Sequence, residues 1–342
     1  MKTPAHHLAP NDLRQCLRIT FGGVLGYLVS QLMGWNYGVF YTVFPMFLLG
    51  MIPILNGSVV RQFLSNACLN VIEVSLVVGL MQHMPIVMTA VVFAIFTFRF
   101  SLMAKGSLFL FGANGVLTLS IMFHFASYPD LDMFDLLTNN TLASFLAVAI
   151  AFVMHAVFPD VAPRTPPQPT IKSKALIRHQ TLIGSVTATV SFVVFQSLDL
   201  RDSLSAQMAT ILILFALGYT GARISARKRA IGTLLGCNFA LLMQLLLSTQ
   251  SQHLALVVVA YTLGLLLFAR EHVIEGAGSG VGFGGMTTMG ILFGQYLKPN
   301  DDLVLDALYR FSSMSVALLS TLVVMAVVHH MLNWFPAVSS DG

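Results

Sequence analysis

One apolar segment of the chain carries a carboxyl group and two amides at helical spacing. Asn66, Asn70 and Glu73 fall on one face of an α-helix, with Arg61 and Gln62 nearby. Hydrocarbon penalises an ionised carboxyl group much more than a protonated one, so Glu73 is the leading candidate for proton coupling. The alternative is a protonated carboxyl group that only bonds to a neighbouring helix. The amides either join helices or, taken as a face, line a polar pathway.

Polar residues in other apolar segments are candidates for the same pathway. Asn114 and Thr118 stand one helical turn apart, and His155 is a lone imidazole within its segment. Asn238 and Gln244 lie in the later segment that matches the one with Glu73. Each of these side chains has an ordinary alternative role as an interhelical hydrogen-bonding group.

Two arginines are candidates for attracting an anionic solute. Arg99 ends an apolar run in FTFRF, and Arg270 ends another in LLFARE, so each is expected at the inner mouth of its half of the chain. Snorkelling to the membrane surface explains both equally well. The glycine-rich run 276–285 has no following GK[ST], which argues against phosphate binding and favours close packing or an unwound helix.

Motifs for enzymatic chemistry are missing from the sequence. It contains no Walker motif, no GxSxG, no HExxH and no paired Cys and His spacing for a metal. Cys16, Cys68 and Cys237 form no CxxC pair. We therefore expect no enzyme, no cofactor and no metal. Nucleic acid is not an expected partner either, because the basic residues are scattered singly.

Composition predicts an all-α membrane protein. Of 342 residues, 56% are hydrophobic and 9% charged, whereas soluble domains carry about 25% charged residues. Apolar runs bounded by Gly, Pro or charge predict about twelve transmembrane helices, and their partner is the lipid bilayer. The segments 37–55, 203–221 and 278–297 are counted among them, the last as either a full span or a broken, re-entrant helix.

Charge placement predicts an even number of spans with both termini in the cytoplasm. Of the 18 Lys and Arg residues, only Arg201, Lys298 and Arg310 fall on the outer side. The outer loops, residues 127–136 and 298–306, carry aspartates instead.

The chain also predicts two parallel six-helix repeats, residues 1–158 and 176–342, joined by a Pro-rich cytoplasmic linker at 159–175. Aligning Arg61 with Arg229 places Asn70 on Asn238, and FTFRF parallels LLFARE. The alternative is that any two strings of membrane helices look alike.

These features resemble a known superfamily. Basic helix starts (LRQCLRITFGGVLGYLV and LIRHQTLIGSVTATVSF) and the Trp-containing stretch GWNYGVFYTVFPMFLLGMIP are similar to the fusaric acid resistance and aromatic acid exporter superfamily of bacterial inner-membrane proteins. The resemblance is closest to its short branch, without a large cytoplasmic domain between the halves. It implies a location in the inner membrane, export of aromatic carboxylic acids, and a periplasmic adaptor protein of the HlyD type as a partner.

Two hypotheses of different classes follow. The first is a secondary transporter, proton-coupled through Glu73, that exports small aromatic or other organic anions collected by Arg99 and Arg270. The second is a membrane scaffold that transports nothing and assembles an envelope complex through its acidic outer loops. The sequence leaves the solute and the oligomeric state open.

Overall fold

The computed structural model describes residues 8–126, 128, 132–164, 172–200, 203–247, 253–276, 278, 280–295 and 303–339, with only the backbone at 303–307. Every regular element in this part of the chain is helical. The elements are α1 (Pro10–Met33), α2 (Gly38–Met51), α3 (Gly57–Met81), α4 (Pro85–Lys105), α5 (Phe109–Ala126), α6 (Met133–Val157), α7 (Lys174–Ser197), α8 (Leu204–Leu214), α9 (Tyr219–Leu246), α10 (Leu254–Glu275), α11 (Val281–Gln295), α12 (Leu303–Asn333) and a short 3₁₀ turn (Pro336–Val338).

The prediction of an all-α membrane protein is confirmed. Eight of the described helices are long and apolar enough to cross a membrane, namely α1, α3, α4, α5, α6, α9, α10 and α12. The predicted linker and both predicted outer loops lie in part outside the described residues.

Three helices are shorter than their apolar runs suggested. α2, α8 and α11 have 14, 11 and 15 residues. At about 1.5 Å per residue they reach roughly 17 to 23 Å, less than the roughly 30 Å of hydrocarbon. The predicted span 203–221 is therefore too long at its carboxyl-terminal end. The ends of α2 and α11 lie within four residues of those predicted for 37–55 and 278–297, and residues 296–297 lie outside the described part of the chain. Local causes are visible in two of the three helices: α2 contains Pro45 and stops just before Pro53, and Leu217 with φ 56° follows α8.

The chain divides into two compact units that do not follow chain order. Unit 1 consists of Met1–Asn56, Leu142–Pro166 and Lys228–Phe311, and unit 2 of Gly57–Thr141, Pro167–Arg227 and Ser312–Gly342. Unit 1 thus takes α1, α2 and most of α6 from the first half of the chain, and α10, α11 and most of α9 from the second half. Unit 2 contains the remaining helices, namely α3, α4, α5, α7, α8 and most of α12, with the remaining parts of α6 and α9. A sequence repeat is not the same thing as a compact unit, so the repeat boundaries stay a prediction.

Each unit has an inner helix whose glycines lie against neighbouring backbones. In unit 2 this is α5, which packs against α3, α4 and α8 and is buried over nearly all its length. In unit 1 it is α11, which packs against α2 and α10. Glycine lets neighbouring backbones approach closely, as small residues commonly do between membrane helices.

Unit 1 is held together at one end by polar contacts from the linker. Arg18 Nη2 lies 2.6 Å from Asp160 Oδ1, and Arg164 Nη1 donates to Gln15 Oε1 at 3.0 Å. The amino-terminal end of α1 and the carboxyl-terminal end of α6 therefore meet at the same end of unit 1. This placement agrees with an even number of membrane crossings between the start of α1 and the end of α6.

Candidate functional site

Three consecutive helices of unit 2 form the site. Pro85 occupies the first turn of α4, where its missing N–H costs nothing, and Gly106 ends α4 with φ 87°, a conformation that favours glycine. Only short turns separate α3 from α4 and α4 from α5. The side chains of α3, α4 and α5 therefore meet in one interior.

An ion pair lies in this interior. Arg99 Nη2 is 2.6 Å from Glu73 Oε2, and the Arg99 side chain is 0% exposed while that of Glu73 is 14% exposed. Arg99 does not end α4 as expected, because the helix continues to Lys105, about 9 Å further along its axis. Glu73 stands about 12 Å before the end of α3 at Met81. Both charges thus lie well inside segments that can cross a membrane.

Amides complete the surroundings of the guanidinium group. Arg99 Nη1 donates to Asn66 Oδ1 at 2.8 Å, and Nη2 also donates to Asn70 Oδ1 at 3.4 Å. The ring centroid of Phe111 lies 4.4 Å from Arg99 Cζ, a cation–π contact. Arg99 Nε is buried and has no hydrogen-bond partner among the described residues. The Nε–H group of Arg99 could therefore donate to a further acceptor.

Thr118 on α5 orients both amides. Its hydroxyl accepts from Asn70 Nδ2 at 2.5 Å and from Asn66 Nδ2 at 3.4 Å, and donates to the Asn114 carbonyl at 2.6 Å. With their nitrogens turned toward Thr118, the amides present their oxygens to Arg99. The side-chain Oδ1 of Asn114 is buried and finds no hydrogen-bond partner within the described part of the chain.

Glycines on α5 make room for the buried arginine. A Cβ on Gly115 would lie 2.9 Å from Arg99 Cζ and 2.8 Å from Asn66 Oδ1. A Cβ on Gly112 would collide with the backbone carbonyl of Arg99. Sequence reasoning missed this function of the two glycines, although their i, i+3 spacing is a signal for close helix packing.

In unit 1, the inner helix α11 contacts α10 in the way that α5 contacts α4 in unit 2. The side chain at the contact is different. A Cβ on Gly282 would collide with the carbonyl of Phe268, and one on Gly285 would collide with the Phe268 ring. Gly282 therefore corresponds to Gly112, Gly285 to Gly115, and Phe268 to Arg99. The predicted match of Arg99 with Arg270 is wrong by two positions.

The contacts that α3 and α9 make with the inner helices can also be compared. Thr118 contacts Asn70, and a Cβ on Gly236 would lie 3.0 Å from Cβ of Thr288, which stands three residues after Gly285 as Thr118 does after Gly115. Thr118 also contacts Asn66, so Gly236 takes the place of one of the two amides, and the match of Asn70 with Asn238 stays a prediction. Asn70 is buried whereas Asn238 is exposed, so the two matched asparagines differ in their surroundings. In unit 1, small glycines and a phenyl ring replace the amides and the guanidinium group.

Arg229 lies deeper than the sequence suggested. The charge sorting predicts a cytoplasmic position for it, yet α9 begins at Tyr219 and Arg229 is 1% exposed. Its Nη2 donates to Thr287 Oγ1 at 3.2 Å, and its backbone lies close to Gly284. Each unit therefore contains a fully buried arginine beside its inner helix. Arg229 donates to the hydroxyl group of Thr287, and Arg99 forms the ion pair with Glu73.

The remaining candidates lie outside the cluster of Arg99, Glu73, Asn66, Asn70 and Thr118, which we call the Arg99 cluster. Asn238 is exposed and donates to the carbonyl of Leu234 in its own helix, and Arg270 is exposed. His155 is half-buried, with Nδ1 2.8 Å from the Ala151 carbonyl. Gln244 is half-buried on α9. All four belong to unit 1.

Comparison with known proteins adds a family of undescribed function. Residues 15–154 match the model of a family described as a protein of unknown function, DUF2955. No curated protein and no solved structure matches the chain. The matched region is less than half of the chain, but it runs from α1 to α6 and includes every residue of the Arg99 cluster.

The chemistry available to the cluster is the exchange of one anion for another. A guanidinium group is permanently charged and binds carboxylates through paired N–H groups. Glu73 satisfies that charge, and a proton on Glu73 would leave it unsatisfied. Among the described residues, no three His, Cys, Asp or Glu side chains converge in a way that could hold a metal ion.

Proposed function

We propose that the protein is a secondary transporter of small organic anions, with Arg99 as the partner of the anion and Glu73 as the carrier of the proton. The observation that carries this proposal is the 2.6 Å ion pair between these two residues inside membrane-spanning helices. Ionisable residues at such depth are rare and typically mark ion or substrate pathways.

The carboxylate of an organic acid has the same shape and charge as that of Glu73. When Glu73 takes up a proton, Arg99 becomes a buried, unpaired cation, which is strongly unfavourable. An incoming carboxylate restores the charge balance of the cluster. The proton and the anion therefore bind together, and the cluster is neutral both with the pair intact and with the anion and the proton bound.

Phe111 favours an aromatic acid among the organic anions. Its ring lies against the guanidinium group and is half-buried, so part of its surface is open to a second ring. The amide oxygens of Asn66 and Asn70 already accept from Arg99. They hold its orientation while the anion replaces Glu73.

This charge balance determines how the proton gradient acts. A proton and an anion that bind together also move in the same direction. The export implied by the family resemblance then runs down the gradient of the protonated acid and needs no nucleotide. We place this transport in a bacterial inner membrane with both termini in the cytoplasm, following the charge sorting of the loops.

The test is efflux of labelled benzoate from proteoliposomes that contain the purified protein, after subtraction of the efflux from protein-free liposomes, since uncharged benzoic acid also crosses bilayers unaided. In the wild-type protein, acidification of the loaded side should accelerate net efflux. In Glu73→Gln, the response to pH should disappear, while exchange of internal for external benzoate persists because Arg99 still binds an anion. Arg99→Gln should abolish both processes.

Glu271→Gln is the matched control, because Glu271 lies on α10, outside the Arg99 cluster. It should behave as the wild-type protein does. A Glu73→Gln variant whose net efflux still responds to pH would refute the assignment of the proton, and an active Arg99→Gln variant would refute the assignment of the anion.

A further inference from the structure

A groove on unit 2, away from the Arg99 cluster, has its charges at one end only. It has a volume of about 440 Å³ and lies between α4 and α7. Lys105 at the end of α4 and Lys174 and Arg178 at the start of α7 form its mouth, and all three are exposed. No described residue lining the groove is Asp or Glu. The mouth therefore carries an uncompensated positive charge.

The rest of the groove follows the two helices away from this mouth. Along α4 it runs from Lys105 to Thr97, which is about 12 Å along the helix axis. Along α7 it runs from Lys174 to Leu182, a similar distance. Lys105 ends α4 and Lys174 begins α7, and basic residues at helix ends are typical of the cytoplasmic membrane surface. On this placement the groove runs from the surface into the hydrocarbon.

The described residues that line the interior of the groove offer no free hydroxyl donors. Thr97 donates to the Phe93 carbonyl at 2.7 Å, Ser101 to that of Phe98 at 2.8 Å, and Thr181 to that of Ile177 at 2.8 Å. What remains on the wall is methyl and methylene surface. A small hydrated anion gains nothing from entering such a wall, whereas a hydrocarbon chain does.

We propose that this groove binds one anionic phospholipid of the cytoplasmic leaflet, with its phosphate at Lys105, Lys174 and Arg178 and an acyl chain between α4 and α7. The charge distribution carries the argument: a charged mouth at the surface and an apolar channel at membrane depth match a headgroup and its chain. Basic pockets between membrane helices on the cytoplasmic side commonly hold such headgroups.

Neighbouring contacts keep the groove in shape independently of the lipid. Lys172 Nζ donates to the Ala104 carbonyl at 3.1 Å and to Gln180 Oε1 at 2.9 Å, which ties the chain before α7 to the end of α4. The Val338 carbonyl lies 2.8 Å from His179 Nδ1, so the carboxyl-terminal turn lines one side of the groove. The site is thus preformed.

The test uses native mass spectrometry of the protein in micelles that contain equal amounts of phosphatidylglycerol and phosphatidylcholine. The wild-type protein should retain phosphatidylglycerol preferentially. The triple variant Lys105→Gln/Lys174→Gln/Arg178→Gln should lose roughly a hundredfold of that preference, at about fivefold for each basic residue near a membrane surface.

A second triple variant, Arg61→Gln/Arg223→Gln/Arg227→Gln, removes the same charge from exposed positions elsewhere on unit 2 and should keep the preference. Ser101→Phe leaves the charges in place but fills the channel, and it should release the lipid. Equal losses in both triple variants would overturn the proposal, as would full retention by Ser101→Phe. Displacement of phosphatidylglycerol by soluble benzoate would assign the groove to a solute instead.

Discussion

Arg99 and Phe268 occupy corresponding places beside the glycine-rich inner helices of their own units. Each lies against the second glycine of an i, i+3 pair, Gly115 in unit 2 and Gly285 in unit 1. The same backbone arrangement thus accommodates a guanidinium group in one unit and a phenyl ring in the other. Since a phenyl ring needs no counter-charge, the ion pair is an addition of unit 2 and not a requirement of the packing.

We expect Glu73→Gln and Arg99→Gln to lower the stability of the protein by different amounts. Glu73→Gln leaves a permanently charged guanidinium group buried, a loss of about 3–5 kcal/mol in stability. Arg99→Gln leaves a carboxyl group that can take up a proton, so it should cost less. The double variant should recover most of the loss. Thermal unfolding in detergent micelles measures all three.

The same experiment with benzoate present links stability to binding. Benzoate should raise the unfolding temperature of Glu73→Gln, because its carboxylate replaces the missing partner of Arg99. It should leave the double variant unchanged. If Arg99→Gln proved the least stable of the three variants, the unpaired guanidinium group could not be the main cost of breaking the ion pair.

Gly115→Ala should disrupt the Arg99 cluster. The added methyl group would stand 2.8 Å from Asn66 Oδ1 and 2.9 Å from Arg99 Cζ, and we expect a destabilisation of about 1–3 kcal/mol from overpacking. Gly79→Ala on α3 is the matched control, since a Cβ there meets no atom of the described residues within 4 Å. It should gain roughly 0.5–1 kcal/mol from helix propensity. Identical unfolding temperatures for the two variants would contradict this.

Thr118→Val should release the amides without changing the shape of the site. It removes the oxygen that accepts from Asn70 and Asn66, so both amides become free to turn. We expect a several-fold loss of benzoate efflux in an otherwise intact protein. Thr89→Val serves as the control, because the exposed Thr89 hydroxyl donates to the Pro85 carbonyl of its own helix. Wild-type efflux in Thr118→Val would exclude an orienting role.

Asn70→Ala and Asn238→Ala should have different effects, although a simple alignment pairs these residues. Asn70 bonds to Arg99 and Thr118, and its loss should cost roughly 1 kcal/mol, or about fivefold in efflux. Asn238 is exposed and bonds within its own helix, so its replacement should be silent. Equal effects of the two substitutions on efflux would contradict this prediction and support the alignment that pairs Asn70 with Asn238.

Part of the site follows directly from helical spacing. Asn66, Asn70 and Glu73 recur at intervals that place them on one face, and they do act on one guanidinium group. The sequence alone does not identify Arg99 as their partner. Arg99 stands near the end of an apolar run, where snorkelling is the usual behaviour, and only the continuation of α4 to Lys105 places it inside.

The mismatch between Arg99 and Arg270 has a physical cause. Matching identical letters pairs these two arginines, but the glycine contacts of the inner helices pair Arg99 with Phe268. A shift of two residues turns a helix by about 200°, from the buried face to the exposed one. Likewise, hydropathy alone extends α8, because flanking apolar residues outside a helix count toward an apolar run as much as residues within it.

The interleaved composition of the two units has a consequence for the order of synthesis. When residue 158 leaves the ribosome, unit 1 still lacks α10, α11 and most of α9, and unit 2 lacks α7, α8 and most of α12. Neither unit can close around its inner helix until the second half has been inserted. During that interval α5 already carries the glycine contacts for Arg99, while α2 must wait for α11. Halfway through translation, both units therefore present helix faces that only later helices cover.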